Sequence, residues 1–158
     1  MVKINLGCGN DYKEGWANID NMSMVNCKVD INSNILEYDR EPNSVDEILM
    51  SHVAMYIRPE EMFLLLKKCK NWLKVGGTLE IETIDIDKVM EEALNPFNGR
   101  QIEWGLTNIF GTKDTGPHRW GWNAESLSSI LMSVGFEVVG KSNGLKKPNR
   151  DFKLTVTK

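Results

Sequence analysis

Apolar and polar positions alternate from the first residues, with Val2, Ile4 and Leu6 set against Lys3 and Asn5. A period of two predicts a strand with one buried face, and Val2 to Leu6 is read as the first. Trp16 to Asp20, Cys27 to Asp30 and Val45 to Met50 are the next three. The period then lengthens. Met62, Leu65, Leu66, Cys69, Trp72 and Leu73 recur at helical spacing behind Pro59-Glu60-Glu61. Proline suits the first helical position, and acids suit the positive end of the helix. Gly76-Gly77 closes this helical segment, and Thr78 to Ile84 reads as the fifth strand. Asp87 to Ala93 is expected to be helical. Residues 95–121 read as a long excursion rich in Gly and Asn, carrying Trp104, Phe110, His118 and Trp120. A stretch of that length inside one domain reads as a lid. Asn123 is placed to cap a helix whose stripe is Leu127, Ile130, Leu131 and Val134, and Gly135 stops it. Phe136 to Val139 and Asp151 to Thr157 complete the strands.

Strands alternating with helices predict an α/β fold with a largely parallel sheet. The 158 residues suit one domain, residues 1–158, with 95–121 as its insertion. Only six residues, Asn10 to Gly15, separate the Gly7-Cys8-Gly9 turn from the second strand. A parallel crossover normally needs about a dozen or more, so the first crossover helix is expected to be reduced to a turn. The alternation of strand one adds to this, because a strand covered on both faces reads as continuously apolar. One sheet face near strand one is therefore expected to be open to water or closed by a second copy in a homodimer.

Composition narrows the function classes. The chain is 41% apolar and 26% charged, with net charge −3 and pI about 5.5, so no nucleic-acid-coating surface is expected. No apolar run reaches membrane-spanning length. Lys3 and Asn5 interrupt the only apolar N-terminal stretch, so no signal peptide is expected. Cys8, Cys27 and Cys69 are scattered and odd in number. They suggest neither a disulfide framework nor a zinc site, and no metal is expected; they fit a cytoplasmic protein. The basic group Lys141, Lys146, Lys147 and Arg150 reads as a solvated loop.

The chemistry centres on Gly7-Cys8-Gly9, at the carboxyl end of strand one, where parallel sheets bind ligands. A dinucleotide fingerprint needs a third glycine where Tyr12 stands, and a phosphate loop needs G-K-[ST], which is absent. A glycine pair alone is equally a tight turn. Asp20 ends strand two and has two acceptor oxygens for ribose hydroxyls, while Asp30 ends strand three and can accept from an adenine amino group. Either carboxylate alone is commonly a solvated turn acid. Together they outline an adenosine without a pyrophosphate.

In these stretches the sequence resembles the class I S-adenosylmethionine-dependent methyltransferases. INLGCGN is similar to their first motif, VDEILMSHVAMYI to the fourth-strand motif, and LKKCKNWLKVGGTLEIETID to their helix–Gly-Gly–strand segment. HRWGWNAESLSSILMSVGFEVV resembles the late helix and strand of a compact bacterial subgroup. The resemblance implies a Rossmann-like, doubly wound, seven-stranded sheet in the order 3-2-1-4-5-7-6, with strand seven antiparallel. It implies that S-adenosylmethionine is bound by Asn5, Leu6, Gly7, Cys8 and Gly9, by Asp20 at the ribose, and by Asp30 and Ile31 at the adenine. Ser51 and His52 would line it near the sulfonium. The pattern departs in places. Asn5 stands where the family has an acid, Met55-Tyr56 stand where the subgroup has Glu-His, and the chain begins at strand one without the family's N-terminal helix.

The implied activity is methyl transfer to a small-molecule acceptor through oxygen or nitrogen. Such a displacement needs alignment above all, and a base only where the nucleophile keeps its proton. His118 and His52 are the candidate bases, and each is equally placed to be a hydrogen-bonded loop or lid residue. The alternatives are an adenosine-binding module without catalysis and, disfavoured by Tyr12, a nicotinamide oxidoreductase.

Overall fold

The computed structural model describes residues 1–21, 28–94 and 99–158. Along the chain β1 is Lys3–Leu6, β2 Ala17–Asp20, β3 Ile31–Asn32 and β4 Val45–Ser51. A single 3-10 turn, Ala54–Tyr56, leads to α1, Pro59–Trp72. Then come β5 (Leu73–Ile84), α2 (Ile86–Leu94), α3 (Gly99–Phe110), a hairpin of β6 (Gly111–Thr112) and β7 (Gly116–Pro117), α4 (Ala124–Val134), β8 (Glu137–Asn143) and β9 (Asp151–Thr157). Seven of these strands form one sheet in the order β3-β2-β1-β4-β5-β9-β8. β9 is antiparallel to both neighbours, and the remaining pairs are parallel. Setting the hairpin aside, this is the expected order 3-2-1-4-5-7-6 with strand seven antiparallel.

The two-residue period sorts the sheet into two unlike faces. Ile4, Leu6, Ile19, Ile48, Met50, Leu79, Ile81, Leu154 and Val156 share one face and are buried. They pack with Met62, Leu65, Leu66, Cys69 and Trp72 of α1 and with Leu127 and Leu131 of α4. Both helices carry the expected ends. The backbone N–H of Arg58 donates to the Glu61 carboxylate ahead of Pro59. Asn123 Oδ1 accepts the Ser126 N–H at 2.8 Å, and Gly135 closes α4 with φ 90°.

On the other face stand Lys3, Asn5, Glu47, Thr78, Glu80, Lys153 and Thr155. No helix of the described residues covers it. Lys3 pairs with Glu47 at 2.8 Å and Lys153 with Glu80 at 3.0 Å, so the exposed face carries cross-strand ion pairs. The winding is complete on one face only, because the connection between β1 and β2 forms no helix. This is the face expected to be open or covered by a second copy; in the single chain it is open.

Four elements differ from the sequence reading, one of them β8, which runs over Glu137–Asn143 and not Phe136–Val139. The third strand is Ile31–Asn32 and not Cys27–Asp30, of which Cys27 lies outside the described residues. The Asp30 N–H donates to the Asn18 carbonyl of β2 and its carboxylate is held by Asn18, so the chain bends there and the paired register begins at Ile31. β5 begins at Leu73 and runs through Gly76-Gly77, because Leu73 already pairs with Val45. The excursion 95–121 contains helix α3 and a hairpin, residues 95–98 lying outside the described residues. Gly105, which lowers helix propensity, is required by packing: a Cβ there would lie 2.7 Å from Ala93 Cβ on α2.

Candidate functional site

β1 ends at Leu6, whose side chain is in the core, and the chain turns through two left-handed glycines, Gly7 at φ 67° and Gly9 at φ 48°. Gly7 is confined: a Cβ on it would meet Val53 Cγ2 at 2.5 Å. Gly9 faces open space, with nothing within 4 Å of a Cβ. The Gly7 and Cys8 N–H groups donate to the Ile19 carbonyl at 2.8 and 3.2 Å, tying the turn to β2. Cys8 is buried below it. Asp20, last in β2, accepts the Gly9 N–H on Oδ2 at 2.8 Å and the Asn21 N–H on Oδ1 at 2.7 Å. The structure thus brings Gly7, Cys8, Gly9 and Asp20 together at the carboxyl edge, with Ser51 and His52 at the end of β4, two strands from Asp20.

Asn5 and Asp30 are placed differently from those residues. Asn5 is buried on the helix-free face, and its amide donates to the Asp11 carbonyl and to Asn18 Oδ1. Asn18 in turn accepts the Lys13 N–H and reaches the Lys13 and Trp16 carbonyls. Two asparagine side chains on paired strands therefore supply the hydrogen bonds of the loop that stands in for a crossover helix. Asp30 is exposed, accepts from the Asn18 backbone and side chain on Oδ2 and from the Tyr12 hydroxyl on Oδ1. The Asn18 backbone N–H, followed by those side-chain donors, holds its carboxyl below the usual range. Ile31 packs at the edge of the core.

His118 follows the hairpin. Its N–H donates to the Phe110 carbonyl, and the next two residues, Arg119 and Trp120, donate theirs to the Met55 carbonyl. Trp122 is buried, with its indole N–H on the Ala54 carbonyl at 2.9 Å. The segment is thereby fastened to the 3-10 turn that follows β4. His118 Nδ1 lies 2.9 Å from the Asn108 carbonyl, and its ring stands edge-to-face with Tyr56 at 5.2 Å. A carbonyl only accepts, so the neutral ring carries its proton on Nδ1 and its lone pair on Nε2. Burial lowers the His118 pKa, and the nearby Arg150 and His52 add to this against the Asn108 bond.

His52 follows β4 directly. It has φ 57°, rare for a residue with a Cβ, and its N–H donates to the Glu82 carbonyl. Its ring faces the buried carboxylates of Glu82 and Asp151. Arg150 grips Asp151 through Nε at 2.5 Å and Nη2 at 2.9 Å. Burial alone would raise the Asp151 carboxyl, but His52 and Arg150 outweigh it and hold it low. Neither Glu82 nor Asp151 stands out in the sequence, since both read as ordinary polar positions of alternating strands. Of the basic loop, Lys146 pairs with Asp11 at 3.0 Å and Arg150 with Asp151, so two of its four cations are engaged.

No protein-family model matches the chain. It is similar in structure to a SAM-dependent methyltransferase from Archaeoglobus fulgidus, 19% identical with TM-score 0.68, covering 99% of this chain and 85% of that one. It is likewise similar to an S-adenosylmethionine-dependent methyltransferase from Mesorhizobium loti, 12% identical with TM-score 0.71, covering 99% and 90%. The chain has the fold of the class I S-adenosylmethionine-dependent methyltransferases. In sequence it is 28% identical over 109 residues to phosphoethanolamine N-methyltransferase 1 of Zea mays, a match covering 68% of this chain. The chain spans about a fifth of that relative, whose match covers 20% of its length. No helix among the described residues is long and apolar enough to cross a membrane.

Proposed function

We propose that this chain is an S-adenosylmethionine-dependent methyltransferase acting on a small-molecule acceptor through a hydroxyl or an amine. The observation that carries the reading is the Gly9–Asp20 contact at the carboxyl edge of β1 and β2, within a sheet of this order. Open space over Gly9 fits the methionine end of the cofactor. The Asp20 oxygens each hold one backbone donor and keep a lone pair for a ribose hydroxyl. When bound, the cofactor supplies a sulfonium methyl group that transfers in line, leaving a neutral thioether.

The chain's own residues align the partners and manage one proton. A groove of about 260 Å³, lined by Glu92, Trp104, Lys147, Pro148, Asn149 and Arg150, offers the acceptor a flat aromatic wall. It adjoins His118 through Asn108, which receives the Arg150 Nη1 donor at 2.9 Å. His118 is assigned as the acceptor-side base: Nε2 takes the proton that the hydroxyl or ammonium loses. The α3–hairpin segment acts as the lid. The relative's name specifies an amine acceptor, and an amine fits the same roles.

The test is incubation of the protein with methyl-labelled S-adenosylmethionine and a panel of small amines and alcohols. Label appearing in one acceptor, lost in His118→Ala, supports the reading. Cofactor binding without label transfer to any acceptor assigns the chain to a non-catalytic adenosine-binding module.

A further inference from the structure

Glu82 and Asp151 have no part in the methyl-transfer reading, and His52, expected there as a cofactor-lining residue and candidate base, turns its ring to these two carboxylates. His52 Nε2 lies 3.3 Å from Asp151 Oδ2 and 3.8 Å from Glu82 Oε1. One ligand atom from each residue falls within 4.8 Å of the others. Asp151 is fully buried and Glu82 is 4% exposed. His52 Nε2 is itself buried and makes no aligned hydrogen bond. The fold converges these groups from the residue after β4 and from β5 and β9. Glu82 on β5 pairs in register with Ser51, and Asp151 on β9 pairs with Ile84, two residues along the same face from Glu82. His52 adopts a left-handed backbone, a conformation kept where the surroundings over-determine it. Gly144 closes the wall: a Cβ there would meet Asp151 Cβ at 2.4 Å and Glu82 Oε1 at 3.1 Å.

The outer contacts are also in place. Arg150 donates to both Asp151 oxygens, and the Lys146 N–H donates to Glu82 Oε1 at 3.0 Å. Such outer donors orient carboxylate ligands. Arg150 offsets one of the two buried negative charges. Lys146 directs its ammonium to Asp11, and Lys88 reaches the Asp151 carbonyl oxygen at 3.4 Å and Asn143 Oδ1 at 3.5 Å, neither of them a carboxylate. Among the described residues, one buried carboxylate charge therefore lacks a cationic partner when His52 is neutral, an arrangement that is costly unless a cation enters.

We propose that His52 Nε2 and the carboxylates of Glu82 and Asp151 form a site for one divalent metal ion. One imidazole nitrogen with two carboxylates suits Zn²⁺, Mn²⁺ or Fe²⁺. Ligands at about 2.1 Å from a common ion stand roughly 3.0–3.4 Å from one another. The His52–Asp151 pair already has that spacing, and Glu82 needs only a small side-chain movement. Three protein ligands leave positions for water or for an oxygen of a bound small molecule.

The experiment uses the full chain, freed of metal by a chelator and titrated calorimetrically with MnCl₂ and ZnCl₂ in the absence of S-adenosylmethionine. The expected result is one saturable equivalent of metal, weakened at least tenfold in His52→Gln and in Glu82→Gln. Pulsed electron paramagnetic resonance of Mn²⁺ on the wild-type chain should show coupling to one histidine nitrogen, a readout that needs no variant to fold. The proposal is overturned if the wild type shows no saturable binding. It is also overturned if bound Mn²⁺ has no nitrogen coupling, or if folded variants bind as the wild type does. Titration of S-adenosylmethionine in excess chelator tests the methyl-transfer reading separately.

Discussion

Asn5 and Asn18 face each other on neighbouring parallel strands, Asn5 Nδ2 donating to Asn18 Oδ1 at 3.0 Å in a buried contact. This pair does the work of a missing helix. Through Asp11, Lys13 and Trp16 it satisfies the backbone of the loop that carries the chain from the glycine turn to β2.

Asn18→Ala is therefore expected to destabilise the chain by about 2–4 kcal/mol, because it leaves several buried groups without partners at about 1–3 kcal/mol each. Urea unfolding measures it. A loss below about 0.5 kcal/mol would contradict the assignment.

The two glycines of the turn should separate stability from binding. Gly9→Ala places a methyl group in open space at φ 48°, for a left-handed cost of about 1–2 kcal/mol. It should fold, and bind S-adenosylmethionine at least tenfold more weakly. Gly7→Ala adds a collision with Val53 to the same strain. Overpacking costs about 1–3 kcal/mol more, so its melting temperature should fall further. Equal melting temperatures for the two variants would refute this.

His118 gives a pH signature. Its folded pKa lies below the ordinary value of about 6.5. The unfolded chain therefore takes up this proton first as pH falls. The contribution of neutral His118 is complete above about pH 6.5 and is lost from there down towards the folded pKa. Urea unfolding of wild type and His118→Gln should converge in that window, and the acid limb of turnover should have its midpoint below about 6.5. A midpoint unchanged in His118→Gln, with near-full activity, removes the base assignment and leaves His118 as a lid anchor.

Much of this architecture is legible along the chain. The Val2–Leu6 alternation correctly marks a strand with one polar face, and the six residues from Asn10 to Gly15 are too short for a helix. Asn123 and Gly135 mark the ends of α4. Helix α3 is not legible, because Gly105 answers to Ala93 on another helix and breaks the local pattern. β3 has two residues, too few for a period. The cluster of His52, Glu82 and Asp151 spans almost a hundred positions and is assembled only by strand register. Asp30 was legible as an acid near a strand end, but not as a ligand of Asn18.

Asp20 is expected to matter more than Asp30 to the cofactor. Asp20→Ala removes charge-assisted acceptors worth about 1.5–3 kcal/mol each, at least roughly tenfold in affinity. Asp30→Ala removes acceptors already engaged with Asn18 and Tyr12, so its effect should appear in unfolding and only weakly in binding. Comparable loss of binding in both would show that Asp30 also contacts the adenine.

Isothermal titration of the wild-type chain with S-adenosylmethionine, its demethylated product and NADH tests the central claim most directly. The account predicts one site for each of the first two, at micromolar affinity or about 8 kcal/mol, and no heat of binding for NADH. Binding of NADH together with silence towards S-adenosylmethionine would contradict it.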